Sequence, residues 1–212
     1  MVGAKSKIAD IVDLSMNFLA HIYLSGSDDD VLLGNFMGDQ VKGRDLSRFS
    51  NGIKKGILLH RRIDHFTDTH EVTAKTRKAL HPSMGKYAGV VLDVFYDHFL
   101  AINWLAHHSD ALEEFVLRTY DLIDQRSEEL PEKTKYLFRF MKRQDWLNSY
   151  VQVDGIERAL IGLSRRAKNG ERMANSRAVL IDNYDDISKS FDQFFPLLKQ
   201  ECKDHLVELN DL

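Results

Sequence analysis

The stretch that decides the fold is residues 56–68, which read GILLHRRIDHFTD. Its apolar residues recur every three or four positions, which predicts an amphipathic helix over about 51–69. At roughly 100° per residue, His60 and Asp64 continue the apolar line that passes through Ile57. Because a buried carboxylate is costly unless it is paired or bound to a metal, we expect this face to serve both as core and as a functional site.

The same periodicity runs through the rest of the chain, and alternating strand patterns are nearly absent. We therefore predict an all-α fold, arranged as a single compact multi-helix domain. Residues 1–15 fit this pattern poorly, so we expect the domain to span 16–212 behind an N-terminal extension of 1–15. The expected helices lie at about 16–24, 28–42, 51–69, 71–80, 84–107, 110–129, 132–144, 153–168 and 176–206, the last with a bend at Pro196.

The chain has 212 residues, of which 43% are hydrophobic and 29% charged, and its formal net charge is −3. These values are ordinary for a globular protein and give no overall attraction for nucleic acid or for an anionic membrane. No apolar run approaches the roughly 20 residues that a membrane span needs, and no secretory signal is visible. The single cysteine, Cys202, excludes an intramolecular disulfide framework, so we expect a cytoplasmic protein.

A second predicted helix carries acidic residues on its apolar face. Asp97 falls within the stripe formed by Val90 and Val94, while Asp93 lies at one margin and His98 at the other. Residues four apart share a helical face. The same spacing recurs in two other pairs, Asn17 with His21 and Asn35 with Asp39.

Histidine and carboxylate side chains on buried helix faces suit a divalent cation. A cation compensates the buried negative charge, and imidazole with carboxylate favours manganese, iron or zinc, while a carboxylate-rich set also accepts magnesium. Open positions on such a cation would activate water and polarise a phosphoryl oxygen. The alternative is that the pairs are structural, since charged pairs at this spacing also stabilise helices. The protein would then be a non-enzymatic helical binding module.

Basic residues flank the candidate site residues. Arg61 and Arg62 directly follow His60, and the planar fork of arginine binds phosphate well. Other basic groups could steer an acidic protein partner. They are Lys42 and Arg44, and a cluster that contains Arg165 and Arg166.

Four motifs resemble those of the bacterial acyl carrier protein phosphodiesterases: MNFLAHIYLS at 16–25, GNFMGDQVKG at 34–43, GILLHRRIDHFTD at 56–68 and LDVFYDHFL at 92–100. The resemblance implies an all-α fold related to the HD phosphohydrolases. It implies hydrolysis of the phosphodiester that joins 4′-phosphopantetheine to a serine of holo-acyl carrier protein, which is the implied partner. It also implies a divalent metal, manganese in preference to magnesium or iron.

The residues and the resemblance together give the expected roles. Expected catalytic residues are Asp39, Arg61, Arg62 and His98. Expected metal ligands are Asp39, His60, Asp64, Asp93, Asp97 and His98. Residues expected to orient the ligands are His21, Asn35, His65 and Asp68. Residues expected to contact the carrier protein are Lys42, Arg44, Arg165 and Arg166.

Two questions stay open at the level of sequence. Either His65 or His98 would protonate the departing serine oxygen, and spacing alone does not choose between them. The nearer alternative function is an HD-type phosphohydrolase that acts on a nucleotide or another small phosphoester.

Overall fold

The structure, a computed structural model, describes residues 17–165 and 167–210. The described residues form helices and no strand, which confirms the prediction of one compact all-α domain. None of these helices has the length and hydropathy of a membrane span. The predicted extension, residues 1–15, lies outside the described residues. The helices are α1 Phe18–Leu24, α2 Asp29–Met37, α3 Asn51–Thr69, α4 Glu71–Met84, α5 Ala88–Ile102, α6 Leu112–Gln125, α7 Glu132–Arg143, α8 Trp146–Ser149, α9 Val153–Ser164, α10 Ser176–Asp182 and α11 Tyr184–Asn210.

Helices α2 and α3 approach so closely that their backbones touch. A Cβ atom at Gly34 of α2 would lie 2.2 Å from the carbonyl oxygen of Ile53 on α3. Gly56 makes the reciprocal contact, because a Cβ atom there would lie 2.1 Å from the carbonyl oxygen of Val31. Only glycine leaves room for both contacts. The contact sets the end of α2 against the middle of α3, where His60 lies.

Helix α5 runs through the centre of the fold, between α1, α4, α9 and α11. Phe95 and Phe99 are fully buried, and the ring of Phe99 lies 6.2 Å from that of Phe191 on α11, centroid to centroid. A helix that is apolar on most of its surface is a core helix. The two acidic residues of α5 must therefore find their partners inside the protein.

Two helices are shorter than the sequence predicts. Helix α2 ends at Met37, because the chain tightens into a 3₁₀ turn at Gly38–Gln40 and leaves the helix axis. Helix α5 begins at Ala88, after a second 3₁₀ turn at Gly85–Tyr87. Gly85 has a positive φ of 57°, a conformation that favours glycine, which explains why the predicted helix 84–107 starts late.

Proline and asparagine account for two further differences. Helix α4 continues through Pro82, which lies in its last turn and removes one amide bond there. The predicted helix 176–206 is two helices, because Asn183 closes α10 by donating its side-chain amide to the carbonyl of Val179. Helix α11 then continues through Pro196.

We predict that Gly56→Ala lowers the free energy of unfolding by about 1–3 kcal/mol, since the added methyl overlaps the backbone of α2. Gly162→Ala on α9 is the matched control, because an added Cβ there has no described residue within 4 Å beyond its own helix. It should leave stability unchanged or raise it by up to about 1 kcal/mol through helix propensity. Urea unfolding followed by circular dichroism measures both variants, and equal effects would contradict the close contact.

Candidate metal site

Two histidines and a carboxylate from α1 and α3 meet in one cluster. The Nε2 atom of His60 lies 3.2 Å from Oδ2 of Asp64, and the Nε2 atom of His21 lies 3.3 Å from Oδ1 of the same carboxylate. One donor atom from each residue can be chosen so that all three lie within 4.8 Å of one another. The two imidazole rings are 4.4 Å apart, centroid to centroid. A divalent cation with imidazole and carboxylate ligands fits this donor set.

Asn35 fixes the orientation of both histidines through the Nδ1 side of their rings. Its side-chain amide donates to the carbonyl of His21 and to the hydroxyl of Ser25, at 2.8 and 2.9 Å, so its oxygen faces the other way. That oxygen lies 2.7 Å from Nδ1 of His21 and 3.3 Å from Nδ1 of His60. Both histidines therefore donate from Nδ1 and turn Nε2 towards the cluster, as metal-binding histidines commonly do.

Asp39 completes the cluster from the 3₁₀ turn after α2. Its Oδ1 atom lies 3.1 Å from Nε2 of His60. The turn can pass this close because Gly38 has no side chain: a Cβ there would lie 2.3 Å from Cγ of His60. The early end of α2 is thus what aims the Asp39 carboxylate at the imidazole.

The charges of the cluster are mutually dependent. Burial alone would lower the pKa of His60, but hydrogen bonds to Asp39 and Asp64 outweigh it and raise the pKa to about 9. Burial alone would raise the pKa of Asp64, but its two histidine neighbours hold that pKa below its usual range. Among the described residues, the buried Nε2 atom of His21 makes no hydrogen bond, although Oδ1 of Asp64 lies 3.3 Å away. A cation would bind that nitrogen and replace the proton on His60, since metal binding releases protons from its ligands.

An open pocket of about 540 Å³ lies over the cluster. Its lining includes Asp39 and Arg61, together with Lys86 from the 85–87 turn and Asp93 from α5. Burial, with the negative charges of Asp64, Asp68 and Asp39, raises the pKa of the Asp93 carboxyl to about 8. A nearby cation would stabilise the ionised carboxylate and lower this pKa, so the position of Asp93 is compatible with the predicted role of a further ligand.

Asp97 and His98, also expected as ligands, make their hydrogen bonds to groups outside the cluster. Asp97 is fully buried, and its two oxygens accept hydrogen bonds from the backbone amides of Leu19 and Ala20, at 3.0 and 2.9 Å. His98 lies on the other side of α5, where Nδ1 is 2.8 Å from the carbonyl of Tyr150 and Nε2 is 3.0 Å from the hydroxyl of Tyr184. Neither lines the pocket over the cluster. Asp97 instead anchors the start of α1, the helix that carries His21.

Of the two arginines, only Arg61 lines the pocket. Its Nη2 atom donates to the carbonyls of Val41 and Gly43, at 3.0 and 2.8 Å, and so holds the loop after Asp39. Arg62 points to α11, where it forms an ion pair with Glu201. The catalytic role expected for Arg62 therefore has no support in its position.

The remaining expected residues lie around the site at different distances from it. Asp68 lines the pocket and pairs with Arg77 at 3.0 Å, whereas His65 is exposed and does not line the pocket. Lys42 lines the pocket, Arg44 and Arg165 are exposed, and Arg166 lies outside the described residues.

Sequence reasoning gives one residue a smaller role than its position supports and misses another. His21 was expected only to orient the ligands, but its Nε2 atom faces the cluster. Asn35, which the sequence expects to orient the ligands, contacts Nδ1 of both histidines, one on α1 and one on α3. Lys86, in the turn before α5, lines the pocket, and nothing in its local sequence marks it.

The fold and site together define a class: an all-helical protein with a histidine–aspartate cluster suited to a divalent metal. The chain belongs to the acyl carrier protein phosphodiesterase family, whose model matches residues 16–198. No solved structure matches the chain, so the expected relation to the HD phosphohydrolases stays a prediction.

Three relatives carry the name acyl carrier protein phosphodiesterase. The protein of Photorhabdus laumondii subsp. laumondii is 33% identical over 189 residues, which cover 89% of this chain and 96% of the relative. That of Enterobacter sp. (strain 638) is 30% identical, with 89% and 98% covered. That of Klebsiella pneumoniae (strain 342) is 33% identical over 182 residues, with 85% and 94% covered.

We predict that Mn²⁺ raises the melting temperature of the wild-type protein and that this rise is lost in His60→Ala. A ligand that binds only the native state at about 100 times its Kd stabilises by about 2.7 kcal/mol. His65→Ala, which removes an exposed imidazole on the same helix, should keep the full rise. Differential scanning calorimetry with and without a chelator measures the shift, and an equal shift in both variants would remove His60 from the site.

We predict that Asp97→Ala lowers the free energy of unfolding by about 1–3 kcal/mol, because it leaves two buried amides of α1 without an acceptor. Urea unfolding of the metal-free protein measures this loss. If Asp97 were instead a ligand, Asp97→Ala would leave metal-free stability intact and abolish only the stabilisation by Mn²⁺.

Proposed function

We propose that this protein is a metal-dependent phosphodiesterase that hydrolyses the bond between 4′-phosphopantetheine and the serine of holo-acyl carrier protein. Family membership supports the reaction, and the name of the relatives supports the substrate. The single observation that carries the proposal is that Asp39, His60 and Asp64 line an open pocket, with Nε2 of His21 buried behind them in the same cluster. It places metal-binding groups where a phosphodiester can reach them.

The residues that would hold the cation are His21, His60, Asp64 and Asp39, with Asp93 as a further ligand. A divalent cation supplies Lewis-acid activation of water and neutralises charge on the phosphoryl group. Imidazole with several carboxylates suits Mn²⁺, and Mg²⁺ and Fe²⁺ are the alternatives. Asn35 keeps both imidazoles in the tautomer that leaves Nε2 available, which preserves the geometry of the site between turnovers.

The reaction adds water across the phosphorus–oxygen bond to serine. The phosphopantetheine phosphate gains the hydroxyl, and the serine oxygen gains the proton. Arg61 lines the pocket, and its positive charge would stabilise the negative charge that develops on the phosphoryl oxygens in the transition state. Neither His65 nor His98 lines the pocket, so neither is placed to donate the proton to serine.

We predict that Asp39→Ala lowers the turnover of holo-acyl carrier protein by more than about 100-fold, since even outer partners of metal ligands cost 10–100-fold. Asp45→Ala is the matched control, because Asp45 is an exposed carboxylate of the following loop that accepts a hydrogen bond from the amide of Ser47. Mass spectrometry of the carrier protein, with Mn²⁺ and with a chelator, measures conversion of the holo form to the apo form.

The outcomes of that experiment separate the candidate functions. Metal-dependent conversion by the wild type and not by Asp39→Ala is the expected result. Unchanged holo protein in the presence of bound metal would overturn the proposal and favour a small phosphoester as substrate. Unchanged holo protein with no metal bound would favour the binding module.

A further inference from the structure

The position of the scissile bond restricts where a carrier protein can dock. The phosphodiester is attached directly to a serine on the carrier, so the carrier surface itself must stand at the mouth of the pocket. A docking surface therefore has to be continuous with the pocket. Acyl carrier proteins are generally acidic, so this surface should also be positively charged.

The segment that runs from the start of α4 to the first half of α5 has basic side chains and no acidic ones. Residues 72–92 include the basic residues Lys75, Arg77, Lys78 and Lys86 and contain no aspartate or glutamate. Lys78 and Lys86 are exposed, whereas Arg77 is committed to Asp68. Since the whole chain has a net charge of −3, this positive surface is local rather than a reflection of the overall charge.

A second basic segment is held against the first. The hydroxyl of Tyr87 donates to the carbonyl of Lys168. The guanidinium of Arg172 lies beside Gly85, with Nη1 3.1 Å from the position of a Cβ there. Lys168 and Arg172 are both exposed, so two stretches some eighty residues apart form one positive surface.

This surface is continuous with the candidate active site. A cavity of about 400 Å³ is lined by Arg77, Lys78, His81 and Lys86, with no carboxylate on its wall. It shares Lys86 and Gly89 with the pocket over the metal cluster. The positive surface thus begins at the rim of the pocket, where the carrier must stand.

The charges of this surface are also unneutralised. Within the described part of the chain, Lys78 and Arg172 form no salt bridge, and Lys86 lies only over the ring of Tyr87 at 4.9 Å. Arg61 and Arg62, by contrast, are held by protein oxygens. Exposed cations without an acidic neighbour attract an acidic partner more strongly than cations already paired with a carboxylate do.

We propose that the acidic carrier protein docks on this surface, which we define as Lys78, His81, Lys86, Lys168 and Arg172. The proposal rests on the proposed function, because it takes the carrier protein as the substrate. It places the carrier on the α4–α5 side of the pocket and leaves the metal cluster untouched by the contact.

The test reverses two charges that lie outside the pocket over the cluster. Lys78→Glu/Arg172→Glu should raise the Kd for holo-acyl carrier protein at least about tenfold at low ionic strength and raise KM in parallel, with little change in kcat. The difference should shrink near 1 M salt, where charges are screened beyond about 3 Å. Anisotropy of labelled carrier protein measures Kd, and hydrolysis of bis(p-nitrophenyl) phosphate with Mn²⁺ should be unchanged.

The matched control is Lys133→Glu/Arg139→Glu, which makes the same change in net charge on exposed positions of α7. Equal weakening by both double variants, or by neither, would overturn the docking surface. If circular dichroism shows that Lys78→Glu/Arg172→Glu misfolds, the double variant Lys78→Ala/Arg172→Ala is used in its place. A wild-type dimer that only the Lys78/Arg172 variant dissociates would also overturn it, in favour of a second copy of this chain. Binding without hydrolysis would reject the proposed function while leaving the docking surface in place.

Discussion

The backbone contact between α2 and α3 is the constraint on which the site depends. Gly34 and Gly56 remove the side chains that would keep the two helices apart, and the residues one turn further on meet as a consequence. One turn after Gly34 the chain has left α2 and reaches Gly38 in the 3₁₀ turn, and one turn after Gly56 on α3 lies His60, whose ring packs where a Cβ of Gly38 would be. Asn35 follows Gly34 and Asp39 follows Gly38, so each of these two glycines is followed by a residue that reaches the imidazole of His60.

The charged groups of the cluster stabilise one another, because the opposite charge of a neighbour offsets the cost of burying each of them. The carboxylates of Asp39 and Asp64 are tolerable beside a protonated His60, and a cation can take the place of that proton. Asn35 is the neutral member that makes the exchange possible, since its oxygen accepts from Nδ1 whether or not Nε2 is protonated. The organisation resembles that of metal sites in which an outer partner sets the tautomer of the ligand.

The sequence predicts which residues of the site share one face of a helix. The line through Ile57, His60 and Asp64 is local to one helix, and the structure keeps it. Which neighbour a face meets is a tertiary property, and periodicity carries no information about it. Asp97 lies on the buried stripe of α5 as expected, but the groups it meets are the amides of α1, which make it an anchor. His98 lies at the opposite margin and meets Tyr150 and Tyr184 for the same reason.

The proposed metal cluster and the proposed docking surface rest on different kinds of structure. The cluster is carried by α1, α2 and α3, which are fixed by glycine contacts and by the buried carboxylate of Asp97. The positive surface takes Lys78 and His81 from α4, Lys86 from the 85–87 turn, and Lys168 and Arg172 from a segment that contacts this turn through Tyr87 and Gly85. Exposed side chains tolerate substitution better than side chains packed between helices do. The proposed docking surface can therefore change one charge at a time, whereas the proposed metal cluster depends on packing and is constrained as a unit.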